Sequence, residues 1–241
     1  AIGQYNTASG QNSLAFGGGY NKEQKGNTAS GVASVAFGEG TQAIAEGTLA
    51  FGENTQAGST EEDNQGNLLG QNAVAFGNGT KATGGRSLAF GERTVASAND
   101  ATAFGNESIA SKTGATAFGN KNQATGLYAT AWGGGDKVVK GDGTTSKIGT
   151  VASGIYATAF GERTVASEES ATAFGSDSTA SGKNSLAFGE NSTAAAQNSL
   201  AALGGTVETD AKNAAAIGSR AKATLADSIA LGSNSVADRA A

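Results

Sequence analysis

The chain has no cysteine, histidine, proline or methionine among its 241 residues, and only 6% of them are aromatic. Without His or Cys, neither a Ser-His-Asp nor a Cys-His nucleophile can be assembled, and the usual nitrogen and sulfur donors of a zinc site are missing. No disulfide can hold the fold, so stability has to come from packing, and cysteine usage gives no clue to the compartment. The formal net charge of −5 argues against nucleic acid, which calls for a clustered basic face. No apolar run approaches the length of a membrane span, and no signal peptide opens the chain. The first residue, Ala1, falls in the middle of a repeat, so the sequence reads as a piece of a longer chain.

The sequence does have 38 glycines, and many of them fall in phase. The pattern Ala, then a bulky apolar residue, then Gly ends at Gly17, Gly38, Gly52, Gly77, Gly91, Gly105 and onward to Gly232, with a basic period of fourteen. The spacing widens from Gly17 to Gly38, from Gly52 to Gly77 and from Gly133 to Gly161, and is one position longer than the period from Gly189 to Gly204. All ten Phe and the single Trp (Trp132) occupy the bulky slot, which is otherwise filled by Ile2, Leu203, Ile217 and Leu231. Disordered sequence does not confine its aromatics to one phase of fourteen, so the chain is a repeat array.

Each repeat divides into two short strands. Asn12-Ser13-Leu14-Ala15-Phe16, closed by Gly17, typifies the first; Thr94-Val95-Ala96-Ser97, reached through the corner Glu92-Arg93, typifies the second. Two strands and two tight turns in so short a unit make one flat coil. Side chains alternate along a strand, so Leu14 and Phe16 point one way while Ser13 and Ala15 point the other. Neither face of the first strand carries charge in most copies, so both call for cover. One face is covered by the second strand of the same coil; the other needs further copies of the chain, arranged symmetrically. The second strand varies between Gln42, Lys81, Val95 and Ile109 at its outward position, which marks a solvated face. Because packed sheets stand about 10 Å apart, the Phe column is assigned to the roll interior and the Ala column to the contact between copies. The alternative puts the Phe ladder on the shared axis.

The motif Asn-Ser-Leu-Ala-Phe-Gly at Asn12 to Gly17, extended at Asn184 to Ala194 and again at Asp227 to Ser235, resembles the head repeats of YadA-like trimeric autotransporter adhesins. The resemblance covers nearly the whole chain and departs in the use of Phe where the family usually has Ile, and in the insertions. It implies an all-β, left-handed parallel β-roll (a β-solenoid) of about fifteen 14-residue coils, assembled as a homotrimer. It also implies a place on the bacterial cell surface, with anchorage in the outer membrane through parts of the chain not present here. Residues 1–241 are then one head domain, with loop insertions near 18–31, 54–72 and 134–154 and a lead-in to a neck at 233–241.

The insertions differ in sequence and charge, and loops on a rigid scaffold often carry binding. The ligand-binding candidates are Tyr20, Lys22 and Lys25 in the first insertion and Lys137, Lys140 and Lys147 in the third. Asp136 and Asp142 are too sparse for a calcium site, and no metal or cofactor is expected. Glu92-Arg93 and Glu162-Arg163 read as exposed corners that mix charge signs, and the Asn-x-Ser/Thr triplets at Asn78, Asn106 and Asn191 as turn chemistry. An acyltransferase helix would need coils in multiples of six and commonly a His, and an ice-binding face would need a regular Thr array; neither is present. The expected function is non-enzymatic attachment to host matrix protein, glycan, cell-surface receptor or other bacteria. The alternative is a spacer that raises a more distal binding domain.

Overall fold

A computed structural model describes residues 1–19, 26–135, 138–139, 145–146 and 149–239. They form two compact units, Ala1–Ala115 and Thr116–Ala241, each a parallel β-solenoid without helix among the described residues.

In the first unit a wide sheet takes one strand from each of seven turns: Ile2–Gln4, Leu14–Gly18, Val35–Glu39, Leu49–Glu53, Val74–Asn78, Leu88–Glu92 and Thr102–Asn106. A narrow sheet of two-residue strands runs alongside, from Thr7–Ala8 to Ile109–Ala110. The second unit repeats the plan over eight turns, its wide strands running from Thr116–Asn120 to Ile229–Leu231 and its narrow ones from Gln123–Ala124 to Val236–Ala237. Neighbouring strands pair in parallel with like residues opposite, as in Ala36↔Ala50, Phe37↔Phe51 and Gly38↔Gly52. The first and third insertions leave this register intact, since Phe16 still faces Phe37 and Trp132 still faces Phe160.

Glycine after the aromatic is required sterically. At Gly91 the backbone sits at φ +124°, and an added Cβ would lie 1.8 Å from the carbonyl oxygen of Gly105. The corners on both sides then use the left-handed region, occupied by Asn12, Asn72, Arg93, Asp100 and Asn184 among others. Asn and Asp tolerate that region better than most residues, which explains their frequency there.

The interior contradicts the expected assignment of faces. Ala36, Ala50, Ala75, Ala89 and Ala103 of the wide sheet are wholly buried within the first unit, as are Ala43, Ala57, Ala82 and Ala96 of the narrow sheet. Thr41, Thr80, Thr94, Ser34 and Ser87 complete the core at the corners. Phe37, Phe76, Trp132 and Phe188 point outward, with between 44% and 54% of their surface exposed. The usual spacing of packed sheets, about 10 Å, presupposes large facing side chains. Here only Arg93 and Thr94 separate the strands Leu88–Glu92 and Val95–Ala96, so the sheets are held close and only methyls and hydroxyls fit between them.

A second correction concerns Leu203. Phe188 pairs with Ala202, which therefore takes the aromatic slot. Leu203 lies beyond it in the corner at φ 55°, 61% exposed. The next turn pairs Ala202 with Ile217, so the odd residue is absorbed after the strand.

Candidate functional site

The outward face of the wide sheet carries a column of aromatic rings in each unit. In the first unit Phe16, Phe37, Phe51, Phe76, Phe90 and Phe104 stack in series with ring centroids 4.9, 5.9, 6.0, 5.7 and 4.8 Å apart. In the second, Phe118, Trp132, Phe160, Phe174 and Phe188 follow at 4.5, 5.8, 5.4 and 6.5 Å. Two residues before each ring stands Leu14, Val35, Leu49, Val74, Leu88 or Thr102 in the first unit, on the same face. A ladder of aromatic rings flanked by aliphatics is far more apolar than an ordinary solvated sheet face.

Charge is carried mainly by the corners and strand ends, and several of these groups pair from turn to turn. Arg86 meets Asp100 at 2.7 Å; Arg93 meets both Glu92 and Glu107 at 2.7 Å. Arg163 meets Glu162 and, at 2.6 Å, Asp177. Lys183–Glu169 (2.6 Å) and Lys222–Glu208 (2.5 Å) continue the pattern. Hydrogen bonding from the guanidinium holds the Asp100 and Asp177 carboxyls below the usual carboxylate value. The two Glu-Arg corners thus act as the sequence suggested, interleaving signs along exposed edges.

Tyr20, Lys22, Lys25, Lys137, Lys140 and Lys147, the sequence-based candidates, lie outside the described residues, as do Asp136 and Asp142. Buried asparagines stand at the bases of their insertions. Asn27, wholly buried, donates from Nδ2 to the carbonyls of Phe16 (3.0 Å) and Gly38 (2.7 Å). Its Oδ1 accepts from the Thr41 amide (3.0 Å) and hydroxyl (2.7 Å). One turn earlier, Asn6 Oδ1 accepts from the Asn27 amide at 2.9 Å. At the third insertion Asn122 does the same: its Nδ2 donates to the Phe118 and Gly133 carbonyls at 2.6 and 3.0 Å. These Asn occupy a slot held elsewhere by Thr41, Thr55, Thr80, Thr94 or Ser108, and that exchange of a hydroxyl for an amide is a readable signal in the sequence. Within the third insertion Val138–Val139 and Thr145–Ser146 pair antiparallel.

The second insertion folds into a hairpin closed by an antiparallel bridge between Glu62 and Leu68. The Ser59 amide donates to the Leu69 carbonyl at 2.9 Å and the Asp63 amide to that of Asn67 at 2.8 Å. Asp63 Oδ1 caps the tip, accepting from the Gln65 and Asn67 amides at 2.8 and 2.9 Å. Hydrogen bonds from Asn67, then from Gln65, hold its carboxyl below the usual value.

Two further residues escaped the sequence reading. Tyr128 and Tyr156 stack at 5.5 Å, their planes 6° apart, and both are exposed. They stand at the corner that leads into the wide strand, outside the Phe ladder. Among the described residues no three His, Cys, Asp or Glu side chains gather as a metal site would require, and no helix is long and apolar enough to cross a membrane.

The model of one protein family, described as the YadA head domain repeat, matches residues 1–19, 29–57, 69–91, 82–108, 110–135, 152–178, 180–202 and 210–235, well over half of the chain. No curated protein matches it.

Proposed function

We propose, from the premise that the chain belongs to the YadA head domain repeat family, that it is the head of a homotrimeric surface adhesin whose copies meet through the Phe ladder. The family is one of structural, adhesin-type surface proteins rather than enzymes. The observation that carries the reading is the exposed aromatic face. Phe76 leaves 52% of its surface uncovered in the single chain and Phe37 44%, while Phe51 and Phe90 on either side of Phe76 are partly covered. Burying apolar surface is worth about 25 cal/mol per Å², so a row of rings along one face supplies a strong drive to associate. Threefold association about this face closes the assembly into a ring.

The corners, the insertions and the narrow sheet then remain for contact with a host surface, matrix protein or another bacterium. Each contact is weak, and three copies per head multiply it. Sedimentation at low micromolar concentration is expected to give three chains per particle. Replacing Phe76 and Phe90 by Glu is expected to yield dissociated chains. A wild-type chain that sediments as a folded monomer overturns the assembly. Coated beads that fail to attach to host cells, matrix proteins or each other overturn the adhesive role.

A further inference from the structure

In the second unit, the corner leading into each wide strand carries a left-handed residue. In chain order after Tyr128 and Tyr156 come Ser170, Asn184, Asn198, Asn213 and Asp227, all at φ between 54° and 57°. The rungs are tied by the backbone: the Tyr156 amide donates to the Leu127 carbonyl at 2.9 Å, and the Ser170 amide to that of Ile155 at 2.8 Å. From Asn184 onward the side chains satisfy one another, Asn184 to Asn198 and Asn198 to Asn213 at 3.1 Å, and Asn213 to Asp227 at 2.9 Å.

The two tyrosines break this column. Left-handed corners recur throughout the chain and Arg86 holds the equivalent one in the first unit, so it is the aromatic side chains and not the φ that set Tyr128 and Tyr156 apart from the Ser, Asn and Asp of the later rungs. Stacking joins the two rings from turn to turn. It does not account for the exposure of Leu127 and Ile155 beside them, 37% and 45% respectively, at a corner where later turns place Glu169 and Lys183. Four apolar side chains therefore cluster on two adjacent turns of an otherwise polar edge. Neither tyrosine hydroxyl has a hydrogen-bond partner among the described residues. The next rung is Ser170, whose short side chain leaves the outer part of the Tyr156 ring uncovered.

The cluster is small. Four side chains fall far short of the roughly 800 Å² per partner that a stable protein interface buries. The patch suits a ligand of one or two rings with an apolar face and a hydroxylated rim. Charge narrows the class further. Residues 125–128 and 153–156 carry none. On the following turn Glu168 is exposed, and Glu169 holds Lys183 at 2.6 Å. On that side an anionic sugar would meet carboxylates and a cation already paired.

We propose that Tyr128 and Tyr156, with Leu127 and Ile155, form a binding site for a neutral hexose-containing glycan. The C–H face of the sugar packs on the Tyr156 ring and along the aliphatic pair, while its hydroxyls meet the tyrosine hydroxyls and Ser170. The inference rests on the adhesive reading, to which it adds a ligand class.

The test uses the whole chain and an array of glucose- and galactose-terminated neutral oligosaccharides, with sialylated counterparts alongside. The variant is Tyr128→Asn with Tyr156→Asn, because Asn is what the later rungs carry and it fits φ near 55°. The wild type should bind neutral probes over sialylated ones, and the double variant should lose at least tenfold in affinity with its sedimentation unchanged. No neutral probe bound, or equal binding by the variant, overturns the site. A variant that no longer assembles also overturns it, assigning the tyrosines to contacts between copies. Coated beads separate the two readings: wild-type beads that attach, with variant beads attaching equally well, remove the glycan site alone. Wild-type beads that do not attach remove the adhesive reading.

Discussion

Asn122 accepts a hydrogen bond from the backbone amide of Thr150, 28 residues later in the chain, at 2.9 Å. The third insertion lies entirely between them, yet the turns on either side pair as though it were absent: Gln123 faces Val151 and Ala124 faces Ala152. The clamp and the register are one arrangement. A longer amide replaces the usual Thr or Ser hydroxyl where the chain must leave the solenoid and return.

Asn122→Ala should therefore destabilise the second unit. It strands the amide of Thr150, a wholly buried residue, and a buried donor left without an acceptor costs about 1–3 kcal/mol. Thermal unfolding checks it, with Asn120→Ala at an exposed position two residues earlier as the control. Equal midpoints for the two variants would dismiss the clamp.

Two threonines of the same interior column should respond to valine with opposite signs. Thr80 Oγ1 is buried without a hydrogen-bond partner, so Thr80→Val removes an uncompensated desolvation and should stabilise by up to about 1 kcal/mol. The Thr41 hydroxyl donates to Asn27 Oδ1 at 2.7 Å, so Thr41→Val should cost about 1 kcal/mol. Chemical denaturation of the pair decides; shifts of the same sign would refute this account of the core.

Acid should weaken the corner pairs. Asp177 titrates below its ordinary value of 3.8, chiefly because Arg163 hydrogen-bonds to it. A carboxyl with a depressed folded value contributes stability above its unfolded value, and loses it as pH falls through the folded one. The pair is largely solvated, so the effect is small. Arg163→Gln should be slightly less stable than wild type at pH 7, and the gap should shrink as pH falls below the ordinary carboxylate value of 3.8. A gap that persists undiminished at pH 2 would place the effect of Arg163 outside its charge.

The period, the two strands and the corners were legible, because the Phe and Trp residues and the glycines that follow them share one phase of the coil. The assignment of faces was not. Alternation separates Phe16 from Ala15, but with neither side charged it cannot say which faces inward. The deciding quantity is how far apart the short corner Arg93-Thr94 lets the sheets stand. Leu203 misled for a related reason: a Leu before a glycine looks like a rung, although the backbone there has already turned into the left-handed corner. Tyr128 and Tyr156 went unnoticed because their column was not yet known to be left-handed. Once Asn184, Asn198 and Asn213 define that column, two tyrosines in it are conspicuous.

An interior of Ala, Ser and Thr has a further consequence for how the chain reaches its shape. Each turn is completed by the one before it, as Ala50 is by Ala36 and Ala89 by Ala75, so no distant stretch of sequence has to be found. Small side chains have few rotamers to fix and little to misplace. Such a chain orders by accretion, with nearest neighbours alone setting the stability of each added turn. A polypeptide delivered end first can therefore harden rung by rung as it arrives, and whole repeat units can be gained or lost over generations without repacking those that remain.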